Sequence, residues 1–353
     1  MSPSVPVVVL AFVLSAIVAV ILTRYSLQLK LLDIPNERSS HTNPTPRGGG
    51  IAIVGTCTVG ILFAIWTGHL DAALATVLLV GGLVVAAVGF VDDFKGVSTR
   101  IRLVIHFFVA LLALSVMEGT SALQIGNRSV ELGGLWYVVA ILGVIWAMNL
   151  FNFMDGIDGI AASESGFIAL SGALISIPMT ISSGVSVFAA ILAGSSLGFL
   201  RWNWQPARVF MGDVGSCYIG YVLAVLVLAS ASQHSAAIWV WLVLGGGFFV
   251  DATVTLVRRL ARGERVYNAH REHAYQRQAR RFRSHATVTT AFTVVNVLWL
   301  LPAAILCAFQ PERAIYIAGG ALLPLVVLAA VAGAGRAEQA AESALTAGRS
   351  SNG

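Results

Sequence analysis

The stretch from Asn149 to Gly159 holds two amides, Asn149 and Asn152, and two carboxylates, Asp155 and Asp158, at the mouth of a run of membrane-grade hydrophobicity. An ionised Asp in the middle of a bilayer helix costs roughly 2.5–3.5 kcal/mol on insertion scales, so such groups persist where they line a polar cavity or do chemistry. Asn152, Asp155 and Asp158 recur every third residue, which puts them on one face of a helix end if the helix continues through them. Gly156 and Gly159 let the backbone turn and approach a ligand closely.

Further clusters carry the same kinds of group. Asp92 and Asp93 are adjacent; like charges this close raise a pKa and can make a base near neutrality, or they simply end a helix in solvent. Asp213 follows the polar segment from Arg201 to Gly212 just where an apolar run begins. There it either caps a helix or offers a carboxylate to Mg²⁺, which favours one or two carboxylates plus phosphate oxygens and water. His270 and His273 can share a helical face, where they would bind a diphosphate or pass a proton; no Cys is near and the HExxH zinc spacing is missing. Between Asp33 and Gly50, prolines stiffen a loop that Gly48, Gly49 and Gly50 open, and backbone N–H groups at such a helix start suit phosphate oxygens.

These groups need a scaffold, and the composition names it. The chain has 353 residues, of which 57% are hydrophobic and 11% charged, with a mean hydropathy of +0.82. That is too apolar for a soluble domain of this size. The expected fold is all-α: one polytopic membrane domain over residues 1–335, with about 10–11 transmembrane helices and the active site in cytoplasmic loops, then a tail at 336–353 too rich in Ala, Ser and Gly to order. Spanning runs fall at about 5–26, 50–68, 72–91, 101–117, 133–153, 160–181, 184–200, 214–232, 236–257, 286–308 and 313–334. Pro178 and the Ser182-Ser183-Gly184 turn signal separate the sixth from the seventh, and Gly126-Asn127 predicts a hairpin between Gln124 and Glu131.

Basic residues orient the bundle, because Lys and Arg stay in cytoplasmic loops. With the N-terminus outside, all of the 22 Lys and Arg except Arg128 and Arg313 fall on the inner side, along with the polar clusters. The net charge of +5 then reads as an inward basic surface suited to membrane phosphates and anionic substrates, with no nucleic acid as partner. Cys57, Cys217 and Cys307 lie singly in apolar runs and read as small hydrophobes.

Together the inner loops resemble those of the polyprenyl-phosphate N-acetylhexosamine-1-phosphate transferases, the family that includes MraY and WecA. The resemblance covers about residues 30–285: Asp92-Asp93, NxxNxxDGxDG at 149–159, PAxxFMGDxGS at 206–216, and a His-rich loop at 270–273 appear in family order. It implies Mg²⁺, with Mn²⁺ as a substitute, on Asp213; a nucleotide pocket lined by Asn152, Asp155, Gly156, Asp158, Asn203 and Phe210; action of Asp92 and Asp93 on the lipid phosphate; and contact of His270, Arg271 and His273 with the diphosphate or sugar. The His loop reads HREHAYQ where other branches carry three consecutive His or HIHH, and Ser39 stands where a Lys is common. The HxxHAYQ form is nearest the O-antigen-initiating WbpL branch, whose donors are 6-deoxy UDP-N-acetylhexosamines.

The implied reaction moves a sugar 1-phosphate from a UDP-sugar to undecaprenyl phosphate in the bacterial inner membrane and releases UMP; a homodimer is compatible with it. Two other classes fit less well. CDP-alcohol phosphotransferases need an Arg that DGIDGIAAS lacks, and transporter carboxylates belong near the midplane of broken helices rather than at inner helix ends.

Overall fold

Backbone polar groups in a bilayer must be satisfied within the segment, so the apolar runs can only be helices. In the computed structural model, which describes residues 5–25, 32–33, 44–117, 122–126, 128–264 and 271–337, they are. In chain order they are α1 Val5–Tyr25, α2 Ile51–Trp66, α3 Ala72–Lys95, α4 Thr99–Val116, α5 Gly134–Met154, α6 Ile160–Ser176, α7 Ser183–Asn203 and α8 Asp213–Ala231. Then come α9 Ala237–Leu244, α10 Gly246–Ala261, α11 Ala274–Phe282, α12 His285–Phe309 and α13 Ala314–Val331. The chain is an all-α polytopic membrane protein. Among the described residues, 7 helices are long and apolar enough to cross a membrane, or 8 if α9 and α10 make one span; α1, α2 and α6 are shorter apolar helices. Strands β1 Leu32–Asp33 and β2 Thr45–Pro46 pair near the start, and β3 Ala122–Ile125 and β4 Arg128–Glu131 form the hairpin expected there, with Ile125 opposite Arg128. His270, residues 34–43 of the first inner loop and the tail at 338–353 lie outside the described residues.

The helices depart from the sequence expectation in two places. The run at 236–257 is not one straight helix: α9 and α10 meet at 77° around Gly245. Second, α5 stops at Met154, so Asn152, Asp155 and Asp158 do not share a helical face; Asp155 is the C-cap residue and Asp158 lies in the turn beyond.

Buried α8 is the centre of the bundle: Tyr218 and Tyr221 are at most 1% exposed, while Leu10 of α1 and Leu323 of α13 face outward on the rim. The Tyr221 hydroxyl donates to the Val77 carbonyl at 3.1 Å, where α3 opens into a π turn over Val77–Gly81. Hydrogen bonds of this kind join helices where apolar packing gains little over lipid.

At the end carrying the polar loops, helix starts are capped from other elements. The first N–H groups of a helix have no partner within it. Those of α8 go to Asp93 on α3, those of α11 to Asp251 on α10, and that of Phe248 near the start of α10 to Glu164 on α6. At the start of α12, the Ala286 N–H donates to the side chain of Gln205, between α7 and α8, at 2.6 Å.

Candidate active site

Asp92 and Asp93 end the same helix but have different occupations. Asp93 is 6% exposed; its Oδ1 accepts the Asp213 N–H at 3.0 Å and its Oδ2 that of Val214 at 3.2 Å. Gly212 permits this, because its φ of +73° and ψ of 173° belong to a region that essentially only glycine enters. A Cβ there would lie 2.5 Å from Asp93 Oδ2. The carboxylate of Asp213 is therefore not the cap of its own helix and turns to other partners.

Those partners assemble the centre of the site. Arg102 Nη1, from α4, donates to Asp92 Oδ2 at 2.5 Å and to Asp213 Oδ2 at 2.9 Å. Asn152 Nδ2 donates to Asp213 Oδ1 at 2.7 Å, and the Val97 N–H donates to Asp92 Oδ1 at 2.6 Å. Asp213 keeps 28% of its side chain accessible and Asp92 12%. Arg47, on the first inner loop, acts electrostatically on Asp93.

Next to this centre the turn after α5 is held from several sides. Enclosure, then the charges of Asp213, Asp93 and Asp158, push the Asp155 carboxyl well above the usual carboxylate range. Asp158 Oδ2 accepts the Ala207 N–H at 3.0 Å, its carbonyl accepts from Thr289 Oγ1 at 3.0 Å, and His285 Nδ1 lies 3.2 Å from its Oδ1. Asn203, 2% exposed, accepts from the Gly159 N–H at 3.0 Å and donates to the Val209 carbonyl at 2.9 Å, tying this turn to the loop before α8.

His273 is 3% exposed, with its ring 6.3 Å from Phe153 and 5.7 Å from Tyr275. The Tyr275 hydroxyl donates to the Phe153 carbonyl at 2.8 Å, and Gly156 leaves it room: a Cβ there would come within 2.2 Å of that hydroxyl. Asp251 lies 3.5 Å from His273 Nδ1. Arg271, two residues earlier, accepts from Arg280 through its carbonyl at 3.0 Å. The Arg-rich segment also serves itself: Arg259 and Arg262 pair with Glu264 and Glu272, and Arg258 donates to the Ala334 carbonyl past the end of α13.

The glycine loop before α2 works differently from the phosphate cradle the sequence suggests. Gly49 N–H donates to the Phe210 carbonyl and Gly50 N–H to that of Met211, both at 2.9 Å, while the Phe210 N–H donates to Pro46 at 2.7 Å. These donors are consumed in docking the first loop onto the one that carries Asp213. Phe210 itself is half-buried.

A divalent cation suits this donor set. Asp92, Asp93 and Asp213 lie within electrostatic reach of one another, with Arg102 on Asp92 and Asp213, an excess of hard, anionic oxygen. Among the described residues no three His, Cys, Asp or Glu are grouped to hold a metal ion by themselves.

Sequence reasoning missed Arg102, Glu164, Gln205, Asp251, Tyr275 and His285. For Asp251 and Glu164 a signal existed, since each is a carboxylate inside an apolar run. Arg102 looked like one more topology charge.

Comparison with known proteins covers the same residues. The model of glycosyl transferase family 4 matches residues 75–231, which include Asp92, Asp93, Arg102, Asn152 and Asp213. A probable undecaprenyl-phosphate N-acetylglucosaminyl 1-phosphate transferase of Bacillus subtilis is 28% identical over 313 residues, covering 85% of each chain. A decaprenyl-phosphate N-acetylglucosaminephosphotransferase of Mycobacterium leprae is 27% identical over 344 residues, 86% of this chain and 83% of its own. A phospho-N-acetylmuramoyl-pentapeptide-transferase of Gloeothece citriformis is 32% identical over 222 residues, 59% of this chain and 58% of its own. The paired aspartates, the DGxDG turn and Asp213 all lie inside the region that is similar to glycosyl transferase family 4.

Proposed function

We propose that this protein transfers an N-acetylhexosamine 1-phosphate, or its 6-deoxy counterpart, from a UDP-sugar to undecaprenyl phosphate. UMP leaves, and the product begins a lipid-linked O-antigen or other surface polysaccharide at the cytoplasmic face of the bacterial inner membrane, with the N-terminus periplasmic and the C-terminus cytoplasmic. The observation that carries this reading is Asp213, held by Asn152 and Arg102 beside Asp92 at the ends of membrane helices. Two anionic substrates meeting there need charge neutralisation above all.

Asp213 would hold Mg²⁺, or Mn²⁺ in its place; when bound, the ion supplies charge neutralisation to the donor diphosphate. An oxygen of the lipid phosphate attacks the sugar-bearing phosphorus; its bond to the UMP oxygen breaks, and UMP takes the electron pair. The acceptor's second pKa is near ~6, so at neutral pH a base has only a residual proton to remove. Asp92 is the more accessible candidate of the pair and would act once its Oδ2 is released by Arg102, whereas Asp93 is buried and holds two backbone N–H groups. Asn152, Asp155, Gly156 and Phe210 would face the nucleotide, with Asp158 and Asn203 fixing that wall, and Arg271, His273 and His270 the diphosphate or sugar. An apolar cavity of about 280 Å³ between α5, α8, α9 and α10, lined by Trp136, Trp146, Phe151, Trp241 and Phe249 among others, has the chemistry to take part of the lipid tail.

The long alignments to two N-acetylglucosamine-1-phosphate transferases favour UDP-N-acetylglucosamine as the first donor to test. The experiment is UMP release by detergent-purified protein with undecaprenyl phosphate and a panel of UDP-N-acetyl-sugars, with and without EDTA. Turnover with one donor, lost in EDTA, is expected; no metal-dependent turnover with any donor refutes the reading. Asp213→Asn should abolish turnover while the protein still accumulates in the membrane.

A further inference from the structure

Arg102 is bound in an incomplete way. A guanidinium normally meets carboxylates through its fork, with two nitrogens in parallel. Here one nitrogen, Nη1, is shared by Asp92 Oδ2 and Asp213 Oδ2, while Nε is buried with no hydrogen-bond partner among the described residues. A desolvated, unsatisfied donor disfavours the arrangement that contains it. Asp213 has little else to offer a metal, since its Oδ1 already takes the Asn152 amide at 2.7 Å. A divalent ion coordinated by Asp213 would use the oxygen that Arg102 holds, and two cations on one oxygen repel.

We propose that Arg102 is an exchangeable cation: a divalent ion and the Arg102 guanidinium compete for Asp213 Oδ2, and the displaced guanidinium turns its fork to substrate phosphate oxygens. This rests on the assignment of the metal to Asp213. Exchange keeps Asp92 and Asp213 from being left without the counter-charge that Arg102 supplies. It also gives Nε the acceptor it lacks, and it ties metal entry to phosphate entry because one side chain serves both.

The test is Mn²⁺ binding by the full-length purified protein without donor or acceptor, read from the electron paramagnetic resonance of free Mn²⁺. Arg102→Gln should bind Mn²⁺ at least about tenfold more tightly than wild type, the lower end of the scale for removing a competing unit charge a few ångström away. Arg102→Lys, which keeps the charge, should stay near wild type, and Asp213→Asn should lose binding. In wild type, added inorganic phosphate should tighten Mn²⁺ binding by drawing the guanidinium away, a measurement that needs no variant to fold. Binding that is equally tight in Asp213→Asn overturns the metal site and the exchange with it. Binding that depends on Asp213 but is unchanged or weaker in Arg102→Gln, or unmoved by phosphate in wild type, overturns the exchange alone.

Discussion

Replacing Asp93 separates structural from chemical roles within the aspartate pair. Asp93→Ala removes the acceptor of two N–H groups at a buried helix start. Loss of a cap costs about 0.5–2 kcal/mol and each buried donor left unsatisfied about 1–3 kcal/mol; these overlap, so about 3 kcal/mol is expected. At roughly 2–4 °C per kcal/mol for a chain this large, Tm falls by about 6–12 °C. Asp92→Ala breaks a partly accessible ion pair and leaves Arg102 with Asp213, a change of about 1 kcal/mol or less. Gly212→Ala forces a Cβ to 2.5 Å from Asp93 Oδ2 and should reproduce the Asp93→Ala shift, with little further loss when the two are combined. The assay is thermal unfolding in detergent without substrates, alongside UMP release. Asp92→Ala should lose turnover at nearly unchanged Tm, and Asp93→Ala should lose both. Equal Tm shifts for Asp92→Ala and Asp93→Ala would refute the reasoning.

Two further substitutions probe the turn after α5. Gly156→Ala drives a Cβ into the Tyr275 hydroxyl and should lower turnover on the order of 10–100-fold by misplacing Asp155; adding Tyr275→Phe should restore part of it, and no rescue would mean that the clash is not the cause. Asp155 has a pKa raised by folding, so the folded state binds more protons than the unfolded one, and stability falls as pH rises from the unfolded value, ~4, through the raised one. Asp155→Asn should flatten the curve of Tm against pH over that range, and an unchanged slope would exclude the raised pKa.

Much of this architecture is legible from residue order. Apolar length marks the helices, the split near Pro178 is where α6 ends and α7 begins, and the expected hairpin pairs β3 with β4. The candidate site was legible as a set of loops, because a carboxylate at the edge of an apolar run stands out against its surroundings. What stayed hidden depends on which helices lie side by side. Asp92 and Asp93 look equivalent until α3 is packed against the start of α8, and only then does one become a cap. Arg102 is ordinary until α4 brings it between Asp92 and Asp213. The every-third-residue spacing of Asn152, Asp155 and Asp158 misled for a local reason: the helix ends at Met154, before its period can align them.

The borrowed caps run in one direction along the chain. Asp93 precedes the α8 start it serves, Glu164 precedes that of α10, Gln205 that of α12 and Asp251 that of α11. A ribosome building this chain has therefore already delivered each acceptor to the membrane when the helix that needs it emerges. No helix start among these four waits for a later segment, whereas the N–H groups of Gly49 and Gly50 before α2 and of Gly159 before α6 find their acceptors only when Phe210, Met211 and Asn203 arrive. Loss of an early segment strands helices far downstream, while loss of a late one leaves the earlier caps in place.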